Sequence, residues 1–198
     1  MGWALLAMLH ARVGDFDEMN RAYRTSLGLQ KDETTIANWA ANLVSLGFFT
    51  QAQELFALHG HPNKGMLSYL YEVGVMSFSY RQATQYLRMA EDINMDVRSL
   101  ATPMAESISK FLKENDISDA EIAKHFDVAG EIMRRHRLVF AYETNFTHMD
   151  GLHHGITVAV DVPVSQSEAF DMNIELAMAE EEFQIKKHPS FDVVFSAK

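Results

Sequence analysis

The residues best suited to chemistry cluster in one short segment, "HMDGLHHG", residues 148–155. Imidazole nitrogens and carboxylate oxygens are common zinc ligands, and a site needs three or four of them to converge. The candidate ligands are His148, Asp150, His153 and His154. The chain has no cysteine, which excludes zinc–thiolate sites, disulfides and cysteine nucleophiles. No catalytic triad or other catalytic spacing stands out, so the chain is not predicted to be an enzyme.

Two stretches of alternating apolar residues flank this segment and predict a β-hairpin. They are "LVFAYETNF" from Leu138 and "ITVAVDVPV" from Ile156. A one-residue slip would turn one strand over, so the register must bring the apolar residues onto one face. The matching register pairs Phe140 with Val162, Tyr142 with Val160, Phe146 with Ile156 and His148 with His154. It also predicts a loop at 149–153 that contains Asp150 and His153.

A helix and a third strand follow the hairpin. Ser165 and Glu168 form a capping box that predicts a helix running to about Phe183. The helical residues expected to face the core are Phe170, Ile174, Ala177 and Met178, whereas Glu180 to Glu182 are expected to face solvent. The run "FDVVFSA" predicts the last strand. Residues 138–198 are therefore predicted to form a small antiparallel ββαβ module with one face covered.

The first sixty residues contain an internal repeat. Gly14 and Gly47 are 33 residues apart, and an aromatic residue follows each by nine positions, at Tyr23 and Phe56. Three further matched pairs precede the glycines: Trp3 and Ile36, Leu6 and Trp39, and Ala7 and Ala40. Each unit predicts a helical hairpin whose turn glycine takes left-handed torsions, and such hairpins bury their apolar faces by stacking.

This pattern resembles the tetratricopeptide repeat (TPR) family, with its large–large–small positions, turn glycine and later aromatic. A third unit retains Ala83, Leu87 and Ala90, but Phe78 stands in place of the glycine and Tyr71 in place of the small residue. The resemblance covers about residues 1–90. It implies a curved array of hairpins that binds a peptide or a helix of a partner protein.

Four polar residues are the candidates for lining the groove of such an array: His10, Asn38, Asn42 and Tyr69. Asn38 and Asn42 are spaced i, i+4 and share a helix face, where two amides could clamp a peptide backbone. The alternative is that they are merely solvated. No cluster of Lys and Arg is present on the groove face, which argues against a partner held by its terminal carboxylate.

The middle segment, 99–137, is predicted to contain connecting helices. Ser118 and Glu121 form a capping box, and 118–137 resembles a helix-turn-helix with its turn at 126–128. Its basic cluster, Arg134, Arg135, His136 and Arg137, comes at the end of the second helix, where it complements the helix dipole. Because 116–137 holds five acidic and four basic residues, DNA binding is the weaker interpretation.

The net charge of the chain limits the classes of partner that it is expected to bind. The net charge is −10, and 138–198 contributes −7 of it through ten acidic and three basic residues. An acidic chain repels phosphate backbones, so a nucleic-acid partner is not expected.

The apolar run Trp3–Leu9 is too short to span a membrane and lacks the basic residues of a signal peptide, which favours a cytoplasmic protein. A repeat at the end of an array normally has a polar outer face, so a second subunit or preceding residues are expected to cover this run.

The sequence thus predicts an α+β chain in three parts: TPR-like hairpins at 1–98, connecting helices at 99–137 and the ββαβ module at 138–198. The leading hypothesis is a non-enzymatic adaptor that binds a protein or peptide, with the last module serving partner or self association and no cofactor required. The second hypothesis is a divalent-metal module or small metal-dependent enzyme at the histidine hairpin. The third is a DNA-binding regulator that uses 118–137.

Overall fold

The computed structural model describes residues 2–30, 32–57, 66–96, 103–138, 144–149 and 153–198. Within these ranges lie helices α1 (Gly2–Arg12), α2 (Phe16–Leu29), α3 (Glu33–Ser45), α4 (Phe49–Ala57), α5 (Leu67–Met76), α6 (Tyr80–Asp92), α7 (Pro103–Glu114), α8 (Asp119–Arg135) and α9 (Gln166–Glu182), and strands β1 (Thr144–Met149), β2 (His153–Val162) and β3 (Phe191–Ala197). The chain is therefore mostly helical with a small sheet near its C-terminus. It divides into two compact units, Met1–Ala123 and Lys124–Lys198.

In the first unit the helices pair into hairpins, α1 with α2, α3 with α4 and α5 with α6. The first helices of successive hairpins also contact each other, α1 against α3 and α3 against α5. The small residues Ala7 and Ala40 are fully buried, which allows neighbouring helices to approach closely. Tyr23 and Trp39 are buried, whereas Leu6, which matches Trp39 in the first repeat, is 38 % exposed; the side chain of Phe56 lies outside the described residues.

The turns of the three hairpins have the same backbone conformation. Gly14 and Gly47 take φ values of 74° and 76°, as their spacing predicts, and Phe78 takes 57° at the equivalent position of the third hairpin. In each turn the next residue donates its N–H to a carbonyl of the preceding helix: Asp15 to His10 at 2.9 Å, Phe48 to Leu43 at 2.8 Å and Ser79 to Gly74 at 2.8 Å. The turn therefore persists in the third hairpin without its glycine.

The ring of Phe78 explains why this residue tolerates a left-handed backbone. Phe78 is 2 % exposed, and its ring lies 5.7 Å from that of Phe49 and 5.9 Å from that of Tyr80. A left-handed conformation costs a residue with a Cβ about 1–2 kcal/mol. Burying a phenyl ring offsets that cost, because it contributes about 1.5–3 kcal/mol.

Residues 118–137 do not form a helix-turn-helix. The predicted turn at 126–128 is wrong, because α8 runs without interruption from Asp119 to Arg135. Phe126 and Val128 are buried on this continuous helix, so the apolar residues that suggested a turn serve packing. The predicted capping box is confirmed: Ser118 N–H donates to Glu121 Oε2 at 2.9 Å, and Glu121 N–H donates to Ser118 Oγ at 3.1 Å.

In the second unit a mixed three-stranded sheet has the order β1-β2-β3. β1 and β2 are antiparallel, but β3 runs parallel to β2, so the prediction of an entirely antiparallel sheet is wrong. The reason is the connection, since α9 carries the chain back along the sheet before β3 begins. The capping box at Ser165 and Glu168, which starts α9, is confirmed.

Over residues 144–147 the register of the hairpin differs from the predicted one by two residues. Phe146 pairs with Val158 instead of Ile156, and Thr144 pairs with Val160. A shift of two retains the face of every residue, so the apolar matching that guided the prediction still holds. The register shifts between Thr147 and Met149, and beyond this irregularity Met149 pairs with His153. This last pair has the predicted register, and it places Met149 and His153 in the strands, so the loop predicted at 149–153 is wrong at both of its ends.

α9 covers the sheet with the face opposite to the one predicted. Its buried residues are Ala169, Met172, Leu176, Ala179 and Glu180. Phe170, Ile174 and Met178 are instead 64 %, 46 % and 67 % exposed. The expectation that Glu180 to Glu182 face solvent is wrong for Glu180, which is 3 % exposed.

Candidate functional site

Three of the four predicted groove residues meet in the first unit. The Tyr69 hydroxyl on α5 donates to Asn38 Oδ1 on α3 at 3.0 Å. Asn42 Nδ2 donates to the Tyr23 hydroxyl on α2 at 2.5 Å and to the Asn38 carbonyl at 2.9 Å. Tyr23, Asn38, Asn42 and Tyr69 thus form a single hydrogen-bonded cluster, which we call the amide–phenol network.

Both phenols of the network keep their protons at physiological pH. Burial raises the pKa of Tyr23 to about 12; the hydrogen bond from Asn42 opposes this shift and the nearby Tyr69 adds to it. Burial also raises the pKa of Tyr69, as does the charge of Glu72. Each hydroxyl can therefore donate one hydrogen bond and accept another.

Trp39 and Asn20 fix the position of Tyr23 in the network. The ring of Trp39 stacks on that of Tyr23 with 5.6 Å between centroids and 13° between planes. Trp39 Nε1 donates to Asn20 Oδ1 at 2.7 Å, and both of these residues are buried. Because the indole and the phenol lock each other, the Tyr23 hydroxyl is presented to Asn42 in a fixed position.

His10 does not join the network. Its Nδ1 lies 3.4 Å from Asp15 Oδ2, at the turn of its own hairpin. Within the described residues, no hydrogen bond links His10 to Asn38, Asn42 or Tyr69. Of the predicted groove, the structure brings together the amides and the tyrosine and places the histidine elsewhere.

The predicted metal ligands fall outside the residues whose side chains the structure describes. Asp150 lies outside the described residues, and so do the side chains of His148, His153 and His154. In the part of the chain that the structure describes, no three His, Asp or Glu side chains are arranged to hold a metal ion. A metal site at this hairpin remains a prediction.

A buried charged cluster in the second unit has no counterpart in the sequence predictions. His125 Nδ1 on α8 lies 2.7 Å from Glu180 Oε1 on α9, and both side chains are 4 % exposed. Lys187 Nζ lies 3.3 Å from Glu180 Oε2, so the carboxylate has a partner at each oxygen. The edge of the His125 ring also packs on Phe191, with 5.4 Å between ring centroids.

The surroundings of Glu180 keep it ionised. Burial acts to raise its pKa, but the hydrogen bonds and charges of His125 and Lys187 outweigh burial, and the net shift is downward. A buried carboxylate without such partners would be strongly destabilising.

An open cleft of about 500 Å³ borders this cluster. Its polar lining consists of His125, Thr157, Glu180, Lys187, His188 and Asp192. Glu180 holds one ring nitrogen of His125, and Nε2 makes no hydrogen bond within the described residues. The one sequence signal is that Glu180 follows Leu176 by four positions and so shares a helix face with it; that this face is the buried one is seen only in the structure.

Hydrogen bonds to nearby residues occupy the N–H groups of Phe191, Val193 and Phe195 along the outer edge of β3. Asn173 on α9 binds both backbone groups of Phe195, donating to its carbonyl at 2.9 Å and accepting from its N–H at 2.7 Å. Alternate residues share one edge of a strand, and their N–H groups are also occupied: Phe191 donates to the His188 carbonyl and Val193 to Asp192 Oδ1, each at 3.0 Å. Such blocking protects an edge strand from aggregation.

Replacing Asn173 by alanine is expected to open this edge. The two lost hydrogen bonds should lower the free energy of unfolding by about 1–3 kcal/mol, and the exposed edge should increase concentration-dependent association. Hydrogen exchange at the Phe195 amide would measure the opening directly, with the Val160 amide on the central strand as the internal reference. Unchanged protection of Phe195 would contradict the assigned role of Asn173.

Comparison of the chain with protein-family models, with curated proteins and with solved structures finds no match. Among the described residues, no helix is long and apolar enough to cross a membrane.

Proposed function

We propose that the chain is a protein-binding adaptor whose first unit holds an extended peptide segment of a partner on α3 and α5, at the amide–phenol network. The resemblance of the first hairpins to the TPR family supports a binding scaffold. The network supports this particular position, because it joins polar side chains from the first helices of two adjacent hairpins.

The observation that carries the proposal is that each of the two asparagine side chains, Asn38 and Asn42, keeps one polar atom unused within the network. Asn42 Nδ2 has two hydrogens, and both are used. Within the described residues, however, Asn42 Oδ1 and Asn38 Nδ2 have no hydrogen-bond partner. The network thus holds one free acceptor and one free donor on half-buried side chains one helical turn apart.

This pair suits the backbone of an extended peptide. A residue in a β conformation presents its N–H and C=O on the same side of the strand. Amide groups spaced i, i+4 on a helix stand about 5–6 Å apart at their Cβ atoms, which allows one peptide residue to bond both. Because the contact is to backbone, specificity for the partner would come from neighbouring side chains.

The test is selection of peptides from a random library on the immobilised full chain, followed by measurement of the affinity of the selected peptides. The double variant Asn38→Ala/Asn42→Ala is expected to bind them about tenfold more weakly or worse, as the loss of two hydrogen bonds predicts. The control is Asn115→Ala, in the turn that follows α7, which removes an i, i+4 amide bond of the same kind, from Asn115 Nδ2 to the Phe111 carbonyl at 2.9 Å.

Two results would contradict the proposal. The first is a selection that enriches no peptide. The second is enriched peptides that bind the double variant and the wild-type chain equally well. Thermal melts of both variants separate lost binding from lost folding, because the control also loses an amide hydrogen bond and should retain its affinity.

A further inference from the structure

The outward face of α9 carries a continuous apolar stripe. Phe170, Ile174 and Met178 are spaced i, i+4, i+8 and lie on one side of the helix, and all three are exposed. Exposed Ala177 lies beside them. Single exposed apolar residues are ordinary, but large side chains aligned over two turns form a patch of the kind found at interaction sites. We call these three residues the α9 stripe.

The charged residues of α9 that border the stripe are all acidic, and Glu175 on the same side of the helix pairs with His136 at 3.0 Å. α9 contains no Lys or Arg. Asp171 and Glu182 are exposed along one flank of the stripe, and exposed Glu181 lies at its C-terminal end. The other flank carries the neutral side chains of Gln166 and Asn173. The surface is therefore apolar in the middle and acidic on one side.

We propose that the α9 stripe docks an amphipathic helix of a partner protein, with apolar residues at the same i, i+4, i+8 spacing and Lys or Arg along one flank. Helix-on-helix docking of this kind uses apolar anchors at one-turn intervals. The acidic flank selects the charge of the partner, because complementary charges direct encounter and like charges exclude the wrong partner.

Two other occupants fit this surface less well. A second copy of α9 would supply no cation to offset Asp171, Glu181 and Glu182. An anionic membrane surface would be repelled by the same acidic residues. The docking surface lies in the second unit and is independent of the amide–phenol network, so the two proposals can fail separately.

The experiment uses the full chain and two labelled synthetic helical peptides, in which leucines form the apolar stripe and the flanking positions are all Lys or all Glu. Fluorescence anisotropy is expected to show saturable binding of the Lys peptide and at least tenfold weaker binding of the Glu peptide. Phe170→Ser/Met178→Ser should weaken binding of the Lys peptide by about tenfold or more, as loss of central anchors does. Asp171→Lys/Glu182→Lys should reverse the preference between the two peptides.

Val13→Ser is the matched control, since Val13 is 77 % exposed and lies in the first unit. All substituted side chains are exposed, so far-ultraviolet circular dichroism and melting temperature should stay close to wild type. Binding should also survive in Asn38→Ala/Asn42→Ala, which separates this surface from the proposed peptide groove.

Three results would overturn the proposal. Equal binding of the Lys and Glu peptides would remove the charge selection. Unchanged affinity in Phe170→Ser/Met178→Ser would place the peptide elsewhere. Self-association in sedimentation experiments, or binding to anionic lipid vesicles, that is lost in the same variant would assign the stripe to a second copy or to a membrane.

Discussion

Replacing His125 by alanine is expected to lower the free energy of unfolding of the second unit by about 3–5 kcal/mol, because it leaves Glu180 buried with its main partner gone. His125 and Glu180 are each 4 % exposed at their side chains and 2.7 Å apart. Lys187 remains at 3.3 Å, but its side chain is 62 % exposed and its charge is largely solvated. Chemical denaturation followed by circular dichroism would measure the loss.

The same chain offers a matched exposed pair as the control. His136 Nε2 lies 3.0 Å from Glu175 Oε1, and these side chains are 35 % and 40 % exposed. His136→Ala should therefore cost less than about 1 kcal/mol. The double variant His125→Leu/Glu180→Met should be more stable than His125→Ala, because it leaves no buried charge. If His125→Ala and His136→Ala lost the same free energy of unfolding, burial of the His125–Glu180 pair would not be what makes it important for stability.

The pH dependence of Glu180→Gln follows from the lowered pKa of Glu180. A carboxyl whose pKa is lower in the folded than in the unfolded state stabilises the fold above its ordinary pKa of 4.5, and this contribution is lost as the pH falls through the folded value. The wild-type chain should therefore exceed Glu180→Gln in stability most clearly above about pH 5. The difference should narrow below pH 4.5. A difference that widens on acidification would mean that the shift has the opposite sign.

The second large effect is expected at Phe78. Alanine usually makes a folded protein more stable than glycine does at the same position, but here glycine should give the more stable variant. Phe78→Ala should cost about 3–5 kcal/mol of unfolding free energy, because it empties a buried ring site and keeps a Cβ on a left-handed backbone. Phe78→Gly loses the same ring but relieves the backbone, so it should be about 1 kcal/mol more stable than Phe78→Ala. Urea denaturation of both variants would give the difference.

Gly28 is the reference position, because alanine there should be at least as stable as glycine. It lies in the last turn of α2, and a Cβ added there would have no neighbour within 4 Å. Gly28→Ala should be neutral or stabilising by up to about 1 kcal/mol, as expected for a glycine with ordinary helical torsions. If Phe78→Ala proved more stable than Phe78→Gly, the left-handed backbone of this turn would not be a source of strain.

Local patterns predicted much of the secondary structure. Capping boxes at Ser118 and Ser165 and turn glycines at Gly14 and Gly47 depend on neighbouring residues, and each appears where the sequence places it. The predicted turn at 126–128 failed because the helical pattern continues through it, and burial of Phe126 does not require a break.

α9 shows why the sequence did not predict which face of a helix is buried. Phe170, Ile174 and Met178 follow helical spacing, but so do Met172, Leu176 and Ala179 on the opposite side. Periodicity identifies a helix that is apolar on two faces without choosing between them. Tertiary packing decides which face is buried. The face with Met172, Leu176 and Ala179 packs on the sheet, and this arrangement also brings Glu180 to His125.

The sequence by itself determined the capped helix starts at Ser118 and Ser165 and the glycine turns at Gly14 and Gly47, because these depend on contacts within a few residues. Only the tertiary structure decided that β3 runs parallel to β2, that Asn38, Asn42 and Tyr69 meet while His10 does not, and that His125 meets Glu180. These arrangements join residues far apart in the chain, and they depend on how whole elements pack rather than on any local pattern.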